Sequence, residues 1–151
     1  RNTLRVEGGL PLGGDEISRE LDGRGINPLE AGLGRFVDFE KEFIGSRRLK
    51  SIQEEIKAGR WDRKLVGFEA MDRGNPRDGM DIINEGRKIG TVTSGIPSPT
   101  LKKGIGMGYV RPEFAEEGTQ FQIDIRGSMT DVQVVNLPFY QGSAGKRMLA
   151  A

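Results

Sequence analysis

The hydrophobic period of this chain changes once, near Arg60, and does not change back. Up to Gly59 the clearest apolar pattern recurs at spacings of three and four; beyond it apolar residues alternate. A period of two puts every second side chain on one face of an extended strand, so the second part of the chain is confined to β-structure. The strand candidates are Leu65-Val66-Gly67-Phe68-Glu69, Asp81-Ile82-Ile83-Asn84, Ile89-Gly90-Thr91-Val92-Thr93, the alternating run 105–110, Phe121 to Arg126, and Val132-Gln133-Val134. Turns are expected at Glu85-Gly86 and Gly127-Ser128. About six short strands joined by turn-rich loops predict a small antiparallel β-barrel of jelly-roll or Greek-key type.

Residues 44–59 predict a helix, with Ser46 as N-cap, Leu49, Ile52 and Ile56 on one face, and Gly59 as the stop. Lys50 and Glu54 stand four apart on the opposite face, in the weaker order for an ion pair. Before this helix, Gly8-Gly9, Gly13-Gly14, Gly25, Gly32 and Gly34 break every periodic pattern. Such a stretch has no apolar face of its own and needs neighbours to hold it. The fold class is therefore α+β. The start at Arg1 is expected to reflect a portion of a larger chain.

Composition removes several kinds of chemistry. The chain of 151 residues has no Cys and no His, which excludes thiol nucleophiles, disulfides, Cys/His metal sites and a Ser-His-Asp triad. Its net charge of +1 argues against bulk electrostatic binding to nucleic acid or an anionic membrane surface. No apolar run approaches the roughly 20 residues of a membrane helix.

Glu7 is flanked by glycine at positions 8 and 9, so a flat ligand can approach it closely. Its two coplanar acceptors match two parallel N–H donors, as on an amino-pyrimidinone edge or a guanidinium. Read locally, the plainer alternative is a surface Glu paired with Arg5 or Arg1. Residues 93–103 carry many hydroxyls around Gly95, Pro97 and Pro99, either a loop that cradles a ligand or a crossover whose Ser and Thr satisfy their own backbone. Arg47, Arg48, Lys50, Arg60, Arg63 and Lys64, with Lys102-Lys103, are basic clusters suited to an acidic partner or simply to water. Asp15-Glu16 are sequence neighbours and do not converge on one reacting atom, which argues against acid/base work. The run Gly104-Ile105-Gly106-Met107-Gly108 lacks the helix a dinucleotide loop requires.

Several of these segments together resemble one family. Residues 1–14 (RNTLRVEGGLPLGG) look like the RDxLRxEAGLPLYG signature of aminomethyltransferases, the T-protein of the glycine cleavage system. Pro28-Leu29-Glu30-Ala31-Gly32-Leu33-Gly34, Phe43-Ile44-Gly45, Gly90-Thr91-Val92-Thr93-Ser94-Gly95, Ser98-Pro99-Thr100-Leu101-Lys102-Lys103, Met107-Gly108-Tyr109-Val110 and Leu137-Pro138-Phe139-Tyr140 follow in the family's order. The sequence departs at Gly13, where the family has Tyr, and at Asn2, where it has Asp.

The resemblance implies residues 1–59 as the end of an α/β folate-binding domain with a connecting helix, and residues 60–151 as a C-terminal barrel. It implies transfer of an aminomethyl-derived one-carbon unit from a lipoylated glycine cleavage carrier protein to tetrahydrofolate, with release of ammonia. It implies no metal, nucleic acid or membrane partner, and a cytoplasmic location, or the mitochondrial matrix in a eukaryote. Glu7 takes the position of the family's pteridine-binding Glu. Lys41 is the nearest match to a basic folate contact before the FIG segment, and Tyr140 to a Tyr near the C-terminus. The family's catalytic Asp belongs to an N-terminal half outside these residues, so the chain alone is expected to be inactive and to work with the remainder of its own N-terminal domains. Folate-dependent demethylases and the C-terminal halves of sarcosine and dimethylglycine dehydrogenases share these motifs, and a non-catalytic folate-binding module is a further alternative.

Overall fold

The computed structural model describes residues 1–17, 25–140 and 142. A short helix α1 (Asn2–Glu7) and a helix α2 (Ser46–Lys57) precede six strands: β1 (Lys64–Ala70), β2 (Asp81–Asn84), β3 (Arg87–Ser98), β4 (Lys103–Val110), β5 (Gln120–Ile125) and β6 (Ser128–Val135). All neighbouring strands are antiparallel and the sheet closes on itself in the order β1-β4-β3-β2-β5-β6. Because β1 lies beside β4 while β2, β3 and β4 follow as hairpins, this is a Greek-key barrel. Closure leaves no edge strand exposed.

The alternation expected from the sequence fills the interior. Val66, Phe68 and Ala70 of β1, Phe121 and Ile123 of β5, and Val132 and Val134 of β6 meet Ile82, Val92 and Val110 in one core. Phe68 and Phe121 pack edge to face, ring centroids 6.1 Å apart, a geometry that adds about 0.5–1.5 kcal/mol beyond area burial. β4 is buried on both faces from Gly104 to Val110. Its glycines face inward, and a Cβ at Gly106 would stand 2.7 Å from the Phe68 ring. The run that superficially resembles a dinucleotide loop is thus a strand thinned to admit an aromatic.

The outward residues of β3 and β4 form a second apolar cluster. Ile96, Ile105 and Met107 pack on Val6 of α1, with Leu65, Leu101, Leu137 and Phe139 around them. This cluster seats the glycine-rich segment on the barrel.

Three boundaries differ from expectation. The β5–β6 turn is Arg126-Gly127, both at positive φ, rather than Gly127-Ser128. Strand β3 continues through Pro97 to Ser98, so much of the hydroxyl-rich stretch is strand and not loop. Ser46 is the first residue of α2, and Gly45 at φ 92° is its N-cap. On that helix Glu54 pairs with Lys57 at 3.2 Å, and Ile52 is the buried apolar contact.

Candidate functional site

The glycine-rich segment brings carboxylates to the outer face of β3, and an irregularity in β3 receives them. Val92 pairs with Gly108 and Ser94 with Met107, so Thr93 is an extra residue opposite no partner. Such a bulge turns consecutive side chains to the same side. Both hydroxyls accordingly reach Glu16, with Thr93 Oγ1 donating to Oε1 at 3.0 Å and Ser94 Oγ donating to the same oxygen. The other carboxylate oxygen of Glu16 accepts from Arg5 at 2.7 Å and from the Leu12 amide at 2.9 Å. Glu16 is fully buried, and its four donors saturate the roughly four acceptor sites of a carboxylate. Arg5 also reaches Asp15 at 2.5 Å, Ser94 Oγ at 2.8 Å and Asn2 at 2.7 Å. Arg5 therefore pairs with Asp15 and Glu16, not with Glu7. The adjacent carboxylates share a structural task.

A second buried pair holds the next part of the segment. Arg63 Nε donates to Glu30, which also takes the Asn27 amide at 2.9 Å, and Arg63 Nη2 donates to the Gly25 carbonyl at 2.8 Å. Arg63 thus leaves the basic docking cluster proposed from sequence: it is buried and lies 5.9 Å from the centroid of the Tyr109 ring. The Tyr109 hydroxyl donates to the Glu16 carbonyl at 2.9 Å. Burial first, then the nearby Glu30 charge, pushes this phenol well above its ordinary range.

Glu7 ends α1 and is 5% exposed. After the bulge, Ser94, Ile96 and Ser98 share the outward face of β3, and Ser98 stands under the Glu7 carboxylate. Ser98 Oγ donates to Oε1 at 2.5 Å, and Thr100 Oγ1 to Oε2 at 3.1 Å. Ser98 Oγ in turn accepts the Leu101 amide at 3.0 Å, which fixes the direction of its own proton. The hydroxyls of this stretch are spent on carboxylates more than on their own backbone.

Two buried carboxylates on one strand face therefore differ in one respect. Glu16 has four donors; Glu7 has two among the described residues, one on each oxygen. Two acceptor directions of Glu7 stay available. The residues that follow Glu7 in the chain, and not Glu7 itself, wall a cleft of about 280 Å³ together with Phe36, Leu65 and Leu137 among others. Arg35 lies over the Phe36 ring at 4.8 Å.

Of the other residues expected here, Tyr140 is brought beside Glu7 through the backbone: its N–H donates to the Glu7 carbonyl at 3.0 Å, while its ring is 45% exposed. Lys41 points to water and pairs with Asp38 at 3.3 Å, and no contact among the described residues joins it to Glu7. Ser98 and Thr100 are the residues that local reading left undecided. The signal that finds them is the even spacing of hydroxyls after an extra strand residue.

Residues 63–141 match the family described as the glycine cleavage T-protein C-terminal barrel domain. The chain is 48% identical to an aminomethyltransferase of Streptomyces coelicolor over 144 residues, covering 93% of this chain and 37% of that protein. It is 48% identical to one of Bacteroides thetaiotaomicron over 142 residues, covering 92% and 37% respectively. In structure it superposes on the glycine cleavage system aminomethyltransferase T of Bartonella henselae with a TM-score of 0.78 and 33% identity, covering 93% of this chain and 38% of that one. The chain thus spans about 37% of the length of the curated relatives it matches.

Proposed function

The chain belongs to the glycine cleavage T-protein family, whose C-terminal barrel it carries, and from that membership we propose that Glu7 binds the pteridine end of tetrahydrofolate. The observation that carries this reading is the half-filled carboxylate: a buried Glu, pinned by Ser98 and Thr100, with acceptor capacity left on both oxygens. An amino-pyrimidinone edge presents two parallel N–H donors, the complement of what Glu7 offers. Pinning matters because a pre-oriented acceptor loses no rotamer freedom on binding. Tyr140, beside Glu7, and Lys41 are assigned to the same ligand.

In this reading residues 1–59 end a folate-binding domain and residues 60–151 are the barrel that buttresses it. The whole protein moves an aminomethyl-derived one-carbon unit from a lipoylated carrier protein to tetrahydrofolate and releases ammonia, in the cytoplasm or the mitochondrial matrix. What this chain supplies is orientation of the acceptor, since Glu7 and its hydroxyl cradle fix the ring without reacting with it.

Titration calorimetry of the full-length protein with tetrahydrofolate tests the site. Glu7→Ala leaves two ligand donors unsatisfied, and affinity is expected to fall roughly ten- to a hundredfold. Equal affinity in wild type and variant would refute the assignment. Ammonia release from an aminomethylated carrier, compared with turnover of sarcosine, decides the reaction itself.

A further inference from the structure

Helix α2 begins without a side-chain cap. Its sequence offers Ser46 for that task, but Ser46 is the first helical residue, and Gly45, at φ 92°, takes the capping position. Glycine has no side chain to return to the first turn. The opening amides of a helix have no intrahelical acceptor and must find one elsewhere. Ser46 N–H finds the Phe43 carbonyl at 3.0 Å, and Leu49 N–H closes the first helical bond to Gly45 at 3.0 Å. The amides of Arg47 and Arg48, between them, have no partner among the described residues.

The Ser46 side chain is a second, separate sign of an unfilled site. Ser46 is 8% exposed. The buried hydroxyls of Thr93, Ser94 and Ser98 each donate to a carboxylate; that of Ser46 has no hydrogen bond among the described residues. A buried polar group left unpaired is costly and calls for a partner. Ser46 and Arg47 line a cleft of about 500 Å³ that opens at this helix end, walled by residues 42–47.

Charge selects the kind of partner. The first turn holds no acidic residue, although a negative side chain is the stabilising choice at the positive end of a helix dipole. Arg47 and Arg48 stand there instead. Arg48 turns along the helix to Glu55 at 3.3 Å, while Arg47 has no ion-pair partner among the described residues. A bound anion offsets both the dipole and the added charge. The donors also select a shape. Successive helical amides are turned by about 100° around the axis, so the two free amides, the hydroxyl and the guanidinium do not lie in one plane. The acceptors of a carboxylate are coplanar, whereas phosphate oxygens are tetrahedral. We propose that the N-terminus of α2 binds a phosphate group, held by the amides of Arg47 and Arg48, the Ser46 hydroxyl and the Arg47 guanidinium. None of these groups contacts Glu7, Ser98 or Thr100 among the described residues, and the proposal does not rest on the folate assignment.

The test is a titration of the full-length protein with inorganic phosphate at constant ionic strength, read by phosphorus NMR line width, with acetate as competitor. Saturable broadening is expected in wild type. Ser46→Ala removes the hydroxyl and places a good helix former in the first turn; its melting temperature without phosphate should match wild type, while phosphate affinity falls about tenfold. Arg47→Gln should lower affinity by a similar factor. Glu42 is the one carboxylate on the lining, and Glu42→Gln should tighten binding severalfold. Equal affinity in wild type, Ser46→Ala and Arg47→Gln overturns the proposal, as does an affinity that Glu42→Gln leaves unchanged, which would place the ion elsewhere. Acetate that displaces phosphate at equal concentration would assign the terminus to a carboxylate and also overturns it. Tetrahydrofolate binding measured on wild type and Ser46→Ala separates the two hypotheses. Equal folate affinity with reduced phosphate affinity supports a site distinct from Glu7, and folate that displaces the phosphate overturns that distinction. Absence of folate binding in both proteins sinks the reading of Glu7 and leaves the phosphate result standing.

Discussion

The barrel and the segment that leans on it bury different kinds of side chain. Inside the barrel the contacts are Phe, Ile and Val, with no charged side chain in the core cluster. At the seam between barrel and segment the fully buried groups include Glu16 and Glu30, each matched to an arginine. Apolar packing is non-directional and roughly additive in area. A buried ion pair contributes little net stability but leaves a large penalty when one partner is missing. The barrel is thus the source of cohesion, while the seam sets where the segment sits, and with it where Glu7 sits.

Breaking the barrel should have the largest effect. Phe68→Ala opens a cavity at a side chain with no exposed surface and is expected to cost about 3–5 kcal/mol, felt by the whole chain. Urea denaturation followed by circular dichroism measures it, and a loss below about 1 kcal/mol would show a barrel that collapses around the gap.

Breaking the seam should cost somewhat less and stay local. Arg5→Ala strands the Glu16 charge and is expected to cost about 3 kcal/mol. Hydrogen exchange should then lose protection at the Leu12 and Ile17 amides and keep it at Ile123 and Val132. Uniform loss across both regions would mean that barrel and segment form one cooperative unit.

The smallest effect sharpens the comparison at Tyr109, the residue that belongs to β4 and also holds the seam. Its phenol is raised in the folded protein. The unfolded chain therefore releases this proton first, near pH 10, and its contribution is whole below that pH and lost progressively above it. By pH 11 the loss is on the order of 1 kcal/mol relative to neutral pH. Tyr109→Phe, compared with wild type by urea denaturation at pH 8 and pH 11, should not show this increment; an identical pH dependence in both proteins would exclude it.

The barrel was readable because alternation is local: the run Val66, Phe68, Ala70 announces its inward face with no knowledge of the partner strand. The turn at Arg126-Gly127 was displaced by one residue in the reading, since Gly127-Ser128 has the commoner turn composition while Arg126 takes the left-handed conformation against its preference. The extension of β3 through Pro97 was hidden because proline reads as a breaker; beyond Thr91 the strand has no β2 partner on its other side, so the missing N–H costs no ladder bond. Glu16 and Arg63 could not be read at all. Their partners lie 77 and 33 residues away in sequence, and local spacing says nothing about such distances. Local sequence shows Glu7 as a carboxylate followed by two glycines; what the structure adds is the Ser98 and Thr100 cradle.

The consequence of Thr93 is confined to its own hydrogen bonds. It is a word inserted in a line without changing the lines that follow. Val92 faces the barrel core and Ser94 the segment, as their pairing with consecutive residues of β4 requires, so the strand keeps one phase on both sides of Thr93. Removal of Thr93 would therefore leave Ser94, Ile96 and Ser98 addressed to the segment, with Ser98 still under Glu7, and would take from Glu16 one of its four donors. The bulge is in this sense an appendix to β3 that serves Glu16 and leaves the Glu7 site where the regular strand puts it.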